Sequence, residues 1–326
     1  MGLAAVNTVT GPISVDELGV VLMHEHILVG YPGWEVDQSV APLDRASLVA
    51  KAVKLMGELR ALGVNTVVDA TTADFGRQAD LYQEIAEKSE MQIICATGLY
   101  GENRGGSEYW KFRARFGEIG AEIYHLFLQE LTVGIKQSAI KAGVIKLVSG
   151  KGAITDYENK VFQAAARAQQ ETGVPIITHT EMGTMGREQA DLLIAAGVKP
   201  AKIQIGHMSN STDLQYHLNV LASGVYSAFD RLGLEGLAGS PPDSAKLPLL
   251  IELIKRGFTE RLILSHDYIM AFLGRPLSIN PSDIPSLAKW HPSHLFKNVL
   301  PELKAAGVSD AQISTMLKQN PCRLFG

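Results

Sequence analysis

The sequence predicts an α/β fold, a (β/α)8 TIM barrel with a binuclear metal site at the C-terminal end of its strands. Three observations predict it. Eight short apolar runs recur along the chain, helical patterns lie between them, and four of the nine histidines fall at the ends of three of those runs.

The runs are Gly19 to Met23, Asn65 to Ala70, Gln92 to Thr97, Gly143 to Val148, Val174 to Thr178, Ile203 to Gly206, Val225 to Phe229 and Leu262 to Ser265. Most lack polar alternation, as parallel strands covered on both faces require. Among the helices, Leu48, Ala52, Leu55, Leu59 and Leu62 repeat at helical spacing, and Gly63 supplies a stop. Thr155 and Glu158 make a capping box ahead of Val161, Ala165 and Ala168, and Gly173 ends that helix. Glu118 to Lys141 and Asp243 to Arg256 are also helical in pattern, and Ser309 with Gln312 opens a final helix. Strands alternating with helices in this number favour a closed barrel over a doubly wound open sheet, and no G-x-G-x-x-G follows the first strand. Ile269 to Asn298 lacks a clear period, and loops that long are usually functional. No repeat or linker composition interrupts the chain, so residues 1–326 read as one domain.

Composition excludes several classes. The chain is 46% hydrophobic and 20% charged, ordinary for a globular enzyme. A net charge of −4 without a Lys/Arg cluster gives no footprint for nucleic acid. No stretch approaches the ~20 apolar residues that cross a bilayer, and no signal-peptide pattern opens the chain. Two cysteines, Cys95 and Cys322, are too few for a disulfide framework. The expectation is a cytoplasmic protein acting on a small molecule.

In such barrels, chemistry gathers at the carboxyl ends of the strands. Those ends present, in order, His24 and His26, Tyr100, Lys146, His179, His207, Arg231 and Asp267. His24 and His26 are two apart on a strand, so both imidazoles share a face and Glu25 takes the other. His-x-His alone is a weak signal, and single histidines ending apolar strands are commonly core residues. With an aspartate returning to the same end, a metal site becomes the better reading. Asp267 would stay ionised there, ligate a metal and exchange a proton. His266 should face the opposite side as a supporting residue. Lys146 lies inside an apolar strand, where an ammonium is costly unless paired. Either its head escapes to the barrel mouth, or metal charge favours the neutral amine, which can take up carbon dioxide as a carbamate. Cys95 reads as core, and Trp290 as core or interface. Ile269, Met270, Phe272 and Leu273 follow a ligand position and are apolar, so they are expected to line the acyl side of a pocket, with Tyr268 beside them.

The segments Val-Leu-Met-His-Glu-His, Ala-Gly-Val-Ile-Lys, Val-Pro-Ile-Ile-Thr-His-Thr, Ile-Gly-His-Met and Leu-Ser-His-Asp, with Asn320-Pro321, occur in this order. Over essentially its full length the chain resembles the phosphotriesterase family of the amidohydrolase superfamily. The resemblance implies that His24, His26 and Asp267 hold one divalent ion and His179 and His207 the other. Carbamylated Lys146 and a hydroxide would bridge the two. Zinc is the first expectation for the metal, with cobalt, manganese and iron open. Within the family the chain looks closest to the phosphotriesterase-like lactonases. The residues behind this are Tyr100 in Thr-Gly-Leu-Tyr, Arg231 in Phe-Asp-Arg-Leu-Gly-Leu, Ser265-His266-Asp267-Tyr268, Phe272-Leu273-Gly274-Arg275-Pro276 and Trp290-His291-Pro292.

The activity this implies is lactone opening by the bridging hydroxide, with N-acyl-homoserine lactones (a quorum-quenching reaction) or other γ- and δ-lactones as substrates. Asp267 would pass a proton to the leaving alkoxide, Tyr100 would assist at the carbonyl, and Arg231 would bind substrate or anchor a loop. Organophosphate triesters would be side substrates. The alternatives are a phosphotriesterase proper, another amidohydrolase acting on esters or amides, and more remotely a non-catalytic binding barrel. The family commonly forms homodimers, which carries over as an implication.

Overall fold

The computed structural model describes residues 5–41, 43–104, 107–275, 277 and 284–326. A hairpin of β1 (Ala5–Thr8) and β2 (Gly11–Ser14), not anticipated from the sequence, precedes the barrel. Strands β3 (Val20–Val29), β4 (Val64–Asp69), β5 (Gln92–Gly98), β6 (Val144–Ser149), β7 (Ile176–Thr180), β8 (Ile203–Ile205), β9 (Tyr226–Phe229) and β10 (Leu262–Leu264) then pair in sequence, all parallel. All eight expected strands are present. The long segment after the eighth differs from expectation, because its first residues form β11 (Ile269–Phe272), parallel to β3. Pro276, read as part of a lactonase signature, lies outside the described residues.

The strands at the two ends of this sheet, β10 and β11, are consecutive pieces of one run of chain. The run leaves β9 and joins β3: Ser265 N–H donates to Phe229 O (3.1 Å), and Asp267 N–H to His24 O (3.0 Å). His26 N–H then donates to Tyr268 O (2.8 Å). The sheet therefore closes, and the barrel has no free edge there.

Alternation sorts the strands into two packed layers. Val21 and Met23, Val68 and Ala70, Ile94 and Ala96, Ile177, Ala228 and Ile263 fill the barrel interior. Val6, Val15, Leu18, Leu324 and Phe325 plug its floor. The intervening residues, among them Leu22, Val67, Cys95, Ile145 and Ile205, pack outward against the helices. These are α1 (Arg45–Ala61), α2 (Ala79–Ser89), α3 (Glu108–Arg113), α4 (Ile119–Thr132), α5 (Asp156–Thr172), α6 (Gly186–Ala195), α7 (Leu214–Leu221) and α8 (Asp243–Lys255). The capping boxes at Thr155 and Ser309 form as expected. The helix expected to reach Lys141 stops at Thr132, where Gly134 (φ 157°) and Lys136 (φ 54°) turn the backbone out of the helical region. In the C-terminal helical run, Asn320 Nδ2 donates to Thr259 O (2.8 Å) and Leu262 O (2.7 Å), pinning the base of β10.

One buried ion pair ties the helix layer to the sheet. Arg77 meets the Glu130 carboxylate in bidentate fashion (2.6 and 2.8 Å) and donates to Ala96 O at the end of β5 (2.6 Å). Removing one partner strands the other charge in the interior, so Arg77→Met is expected to cost about 3 kcal/mol in equilibrium urea unfolding. The double variant R77M/E130M should cost less than the single one.

Candidate metal centre

The site forms where the interior face of the barrel turns from apolar to polar. Strand alternation alone would aim Glu25 inward, in line with Val21 and Met23. Between Leu22 and Glu25 the pairing with β4 slips, three residues of β3 against two of β4, and this bulge re-aims His24 and His26 into the barrel mouth. Glu25 turns into the seam. Its Oε1 accepts from Ser265 Oγ (2.8 Å), His266 N–H (3.0 Å) and His266 Nδ1 (2.9 Å), and its Oε2 from Tyr268 N–H (2.9 Å). Glu25 and His266 thus face away from the centre, Glu25 on the side opposite His24 and His26.

Lys146 lies two residues beyond the interior Val144, and His179 two beyond Ile177, so both enter by simple alternation. His207 and Asp267 enter otherwise, each with left-handed backbone (φ 56° and 54°). Such strain at non-glycine residues costs of order 1 kcal/mol and persists where the surroundings enforce it. At His207 the preceding Gly206 allows the approach, since a Cβ there would sit 2.0 Å from Thr178 O.

The structure brings all six expected ligand positions together. Donor atoms of His24, His207 and Asp267 lie within 4.8 Å of one another. His26 Nε2 is 3.1 Å from Asp267 Oδ1, His207 Nε2 is 2.9 Å from His179 Nδ1, and Lys146 Nζ is 2.9 Å from His24 Nε2. The far side of each ring is already committed. His24 Nδ1 meets Asp230 Oδ2 (2.6 Å), His207 Nδ1 meets Asp230 Oδ1 (3.1 Å), and His26 Nδ1 meets Thr71 Oγ1 (2.8 Å). Carboxylate or hydroxyl partners of this kind fix the tautomer and leave the opposite nitrogen for a cation, so the donor set fits divalent metal. His179 carries its second nitrogen against Glu181 Oε2 (3.0 Å).

Burial sets the protonation states. It holds His24 and His207 below their ordinary value and takes His179 down to about 4. It also pushes the Lys146 amine down to about 7. Burial would raise Asp267, but the Arg231 guanidinium and the hydrogen bond with His26 hold it well below the carboxylate range. Neutral imidazoles and an ionised carboxylate are the forms that ligate metal.

Above the centre opens a cavity of about 520 Å3. Of the residues expected to line it, Tyr100, Arg231, Ile269 and Phe272 do. Tyr100 is both wall and packed aromatic, stacked on Phe75 (4.1 Å between centroids) and edge-on to His179. Arg231 donates from Nε to Asp267 Oδ2 (2.8 Å). Tyr268, Met270 and Leu273 do not line the cavity: Tyr268 and Met270 alternate to the face opposite Ile269, and Leu273 lies past the end of the strand. Met270 is buried under α1 beside Leu55 and Met56, as is Tyr268, while Leu273 covers Gly30 and Gly76. Trp290, read as core or interface, is on the cavity wall, and its indole donates to His266 O (3.2 Å).

Asp230 and Glu181 were missed from the sequence. A signal existed for each: Asp230 continues the interior series Tyr226, Ala228, and Glu181 lies two residues past His179.

Asp230→Asn removes the acceptor shared by His24 and His207. Metal affinity is expected to fall roughly 10- to 100-fold, measured by chelator competition. Acid should also unfold the metal-free protein early. The unfolded chain binds more protons once pH falls below about 6.5, whereas folded His24, His179 and His207 stay neutral. Stability is therefore full above that pH and is lost toward pH 4, with His179 alone contributing on the order of 3 kcal/mol. A Tm that stays flat from pH 7 to 4.5 in chelator would contradict this.

Residues 4–325 match the profile of the Phosphotriesterase family. The phosphotriesterase homology protein of Mycobacterium tuberculosis is 34% identical over 98% of this chain and 97% of its own length. The phospho-furanose lactonase of Mycoplasmopsis synoviae is 30% identical, covering 98% and 90%. A solved organophosphorus hydrolase from Deinococcus radiodurans superposes with a TM-score of 0.97 at 46% identity, covering 99% of this chain and 97% of that one. The chain belongs to the phosphotriesterase family.

Proposed function

We propose that this metal-dependent hydrolase opens lactones, N-acyl-homoserine lactones among them, and hydrolyses organophosphate triesters as a weaker side reaction. The observation that carries the reading is the asymmetry of the cavity. Its floor is polar and its wall largely apolar, with Leu234, Ile269, Ile284 and Leu287 packed in one cluster and Leu237 and Leu277 also lining it. An acyl lactone has that shape, with a polar ring at one end and one apolar tail. A phosphotriester spreads three substituents from phosphorus and calls for three recesses. A relative named a lactonase supports the same reading.

In this proposal His24, His26 and Asp267 hold one divalent ion, His179 and His207 the second, and Lys146 lies between them as its carbamate. Zinc is the first choice, with cobalt, manganese or iron accepted by the same nitrogen and oxygen donors. Two bound cations would supply acidification of a water and polarisation of an ester carbonyl. Asp267, ionised and steadied by Arg231, takes the proton of the attacking water and returns it to the ring oxygen as the C–O bond breaks. Water and lactone thus become one hydroxy acid. Tyr100 and Arg231 orient the carbonyl, and Ile269 and Phe272 receive the tail. We further place the enzyme in the cytoplasm as a homodimer. Both cysteines are unpaired, and among the described residues no helix is long and apolar enough to cross a membrane.

Asp267→Ala and His24→Ala are expected to lower lactone kcat/KM by at least about 1000-fold. Full retained rate in either would remove the site from the reaction. A panel of acyl-homoserine lactones, short lactones and paraoxon should rank the acyl lactones first, and paraoxon in first place would favour the phosphotriesterase reading. Intact-mass measurement of the metallated protein at mild pH is expected to show one added carbon dioxide, lost on Lys146→Met.

A further inference from the structure

Three buried side chains outside the metal centre and outside the cavity lining form a connected group, Lys246, Asp243 and His294. Lys246 stands one turn into α8 with no exposed surface. Its ammonium has three protons, and each finds an acceptor: Arg231 O (2.5 Å), Leu234 O (2.8 Å) and Asp243 Oδ1 (3.2 Å). The Asp243 carboxylate in turn accepts Gly233 N–H (3.1 Å to each oxygen) and His294 Nε2–H (2.7 Å).

These bonds converge on the two segments that build the substrate wall, with α8 supplying the ammonium donor Lys246 and the carboxylate acceptor Asp243. The loop after β9 contributes Arg231, Leu234 and Leu237 to the cavity. The segment returning after β11 contributes Leu287 and Trp290, followed closely by His294. Leu234, Leu287 and Trp290 form one small apolar cluster, so the segments meet across the wall itself. At Gly233 they are too close for any side chain: a Cβ would lie 2.4 Å from Lys289 O and 3.0 Å from His294 Cδ2. A buried ammonium is retained only where its charge and protons are all met. Here Arg231 O and Leu234 O of the first wall segment meet two of them, and Asp243, which meets the third, holds the second segment through His294.

We propose that Lys246, Asp243 and His294 are positioning residues that clamp the two wall segments together and thereby set selectivity for the acyl tail of the substrate. The clamp rests on the lactone reading of the cavity. The histidines of the centre are held separately, by Asp230, Thr71 and Glu181. The clamp meets the floor only at the backbone carbonyl of Arg231, whose side chain makes its own bonds to Asp267 and Ala238 O.

The test uses metal-loaded, full-length protein carrying K246M, D243N/K246M or H294Q. The double variant removes both buried charges and guards against a folding failure in the single one. Metal content is measured, with kcat and KM for N-decanoyl-homoserine lactone and for tail-less γ-butyrolactone. Metal content should be unchanged and KM for the decanoyl lactone should rise about tenfold, with its kcat and the γ-butyrolactone kcat/KM both within about twofold. H294Q, which frees only the second segment, should show the same split at smaller amplitude. Equal losses on both lactones, or no change on either, overturn the clamp. Should the wild-type protein open neither lactone, the lactone reading has failed. The clamp is then decided on paraoxon against its dibutyl analogue: loss confined to the longer chain supports it, and uniform loss overturns it.

Discussion

The structure depends most on one carboxylate. Asp230 reaches His24 Nδ1 with one oxygen and both the ring and backbone N–H of His207 with the other. Two histidines from strands far apart in sequence are thereby oriented by a single buried group. Without it, neither the tautomers nor the left-handed backbone at His207 would have a reason to persist. The interior beneath Asp230 is apolar and leaves it no solvent to compete for its hydrogen bonds. The same burial that keeps the imidazoles neutral makes that grip strong.

The site also shows how a barrel separates reactivity from selection. The candidate ligands stand on strands or just past their ends, and Asp230 and Thr71, which orient three of them, are themselves buried. The apolar wall stands largely on loops, held from behind by Lys246 and Asp243 of α8 and at the rim by a salt link of Arg275 to Asp37 (2.5 Å). Tyr100 bridges the two parts, since it is packed on Phe75 yet edge-on to His179.

Much of this was legible in the sequence, for identifiable reasons. Continuous apolar runs ending in His, Lys or Asp carry strand and direction at once; all eight strands were found that way, and the six residues expected as ligands come together at one end of the barrel. Legibility failed where a rule of period met an irregularity. Nothing in Val-Leu-Met-His-Glu-His announces the bulge that turns His24 inward. The strand at Ile269–Phe272 is too short for its alternation to be seen, so Tyr268 and Met270 were taken for pocket residues although they pack beneath α1. Trp290, read as core or interface, is buried in a small core cluster and also borders the cavity, which the sequence could not show because its partners lie across the fold. Asp230 was overlooked although the series Tyr226, Ala228 pointed to it, because the more conspicuous Arg231 stands beside it.

The split eighth strand bears on how such a protein can diversify. Asp267 sits at the point where the closing run leaves β9 and joins β3, beside bonds that make the sheet a cylinder. Closure of the sheet and delivery of the carboxylate are one event, so a half-formed barrel presents an incomplete ligand set. Farther along, Trp290 and Leu295 donate to His266 in that seam (3.2 and 3.1 Å), and Asn320 pins the base of β10. A lineage can therefore exchange the stretch of chain between Leu273 and Trp290, changing the molecules it accepts, while the seam holds the reaction constant.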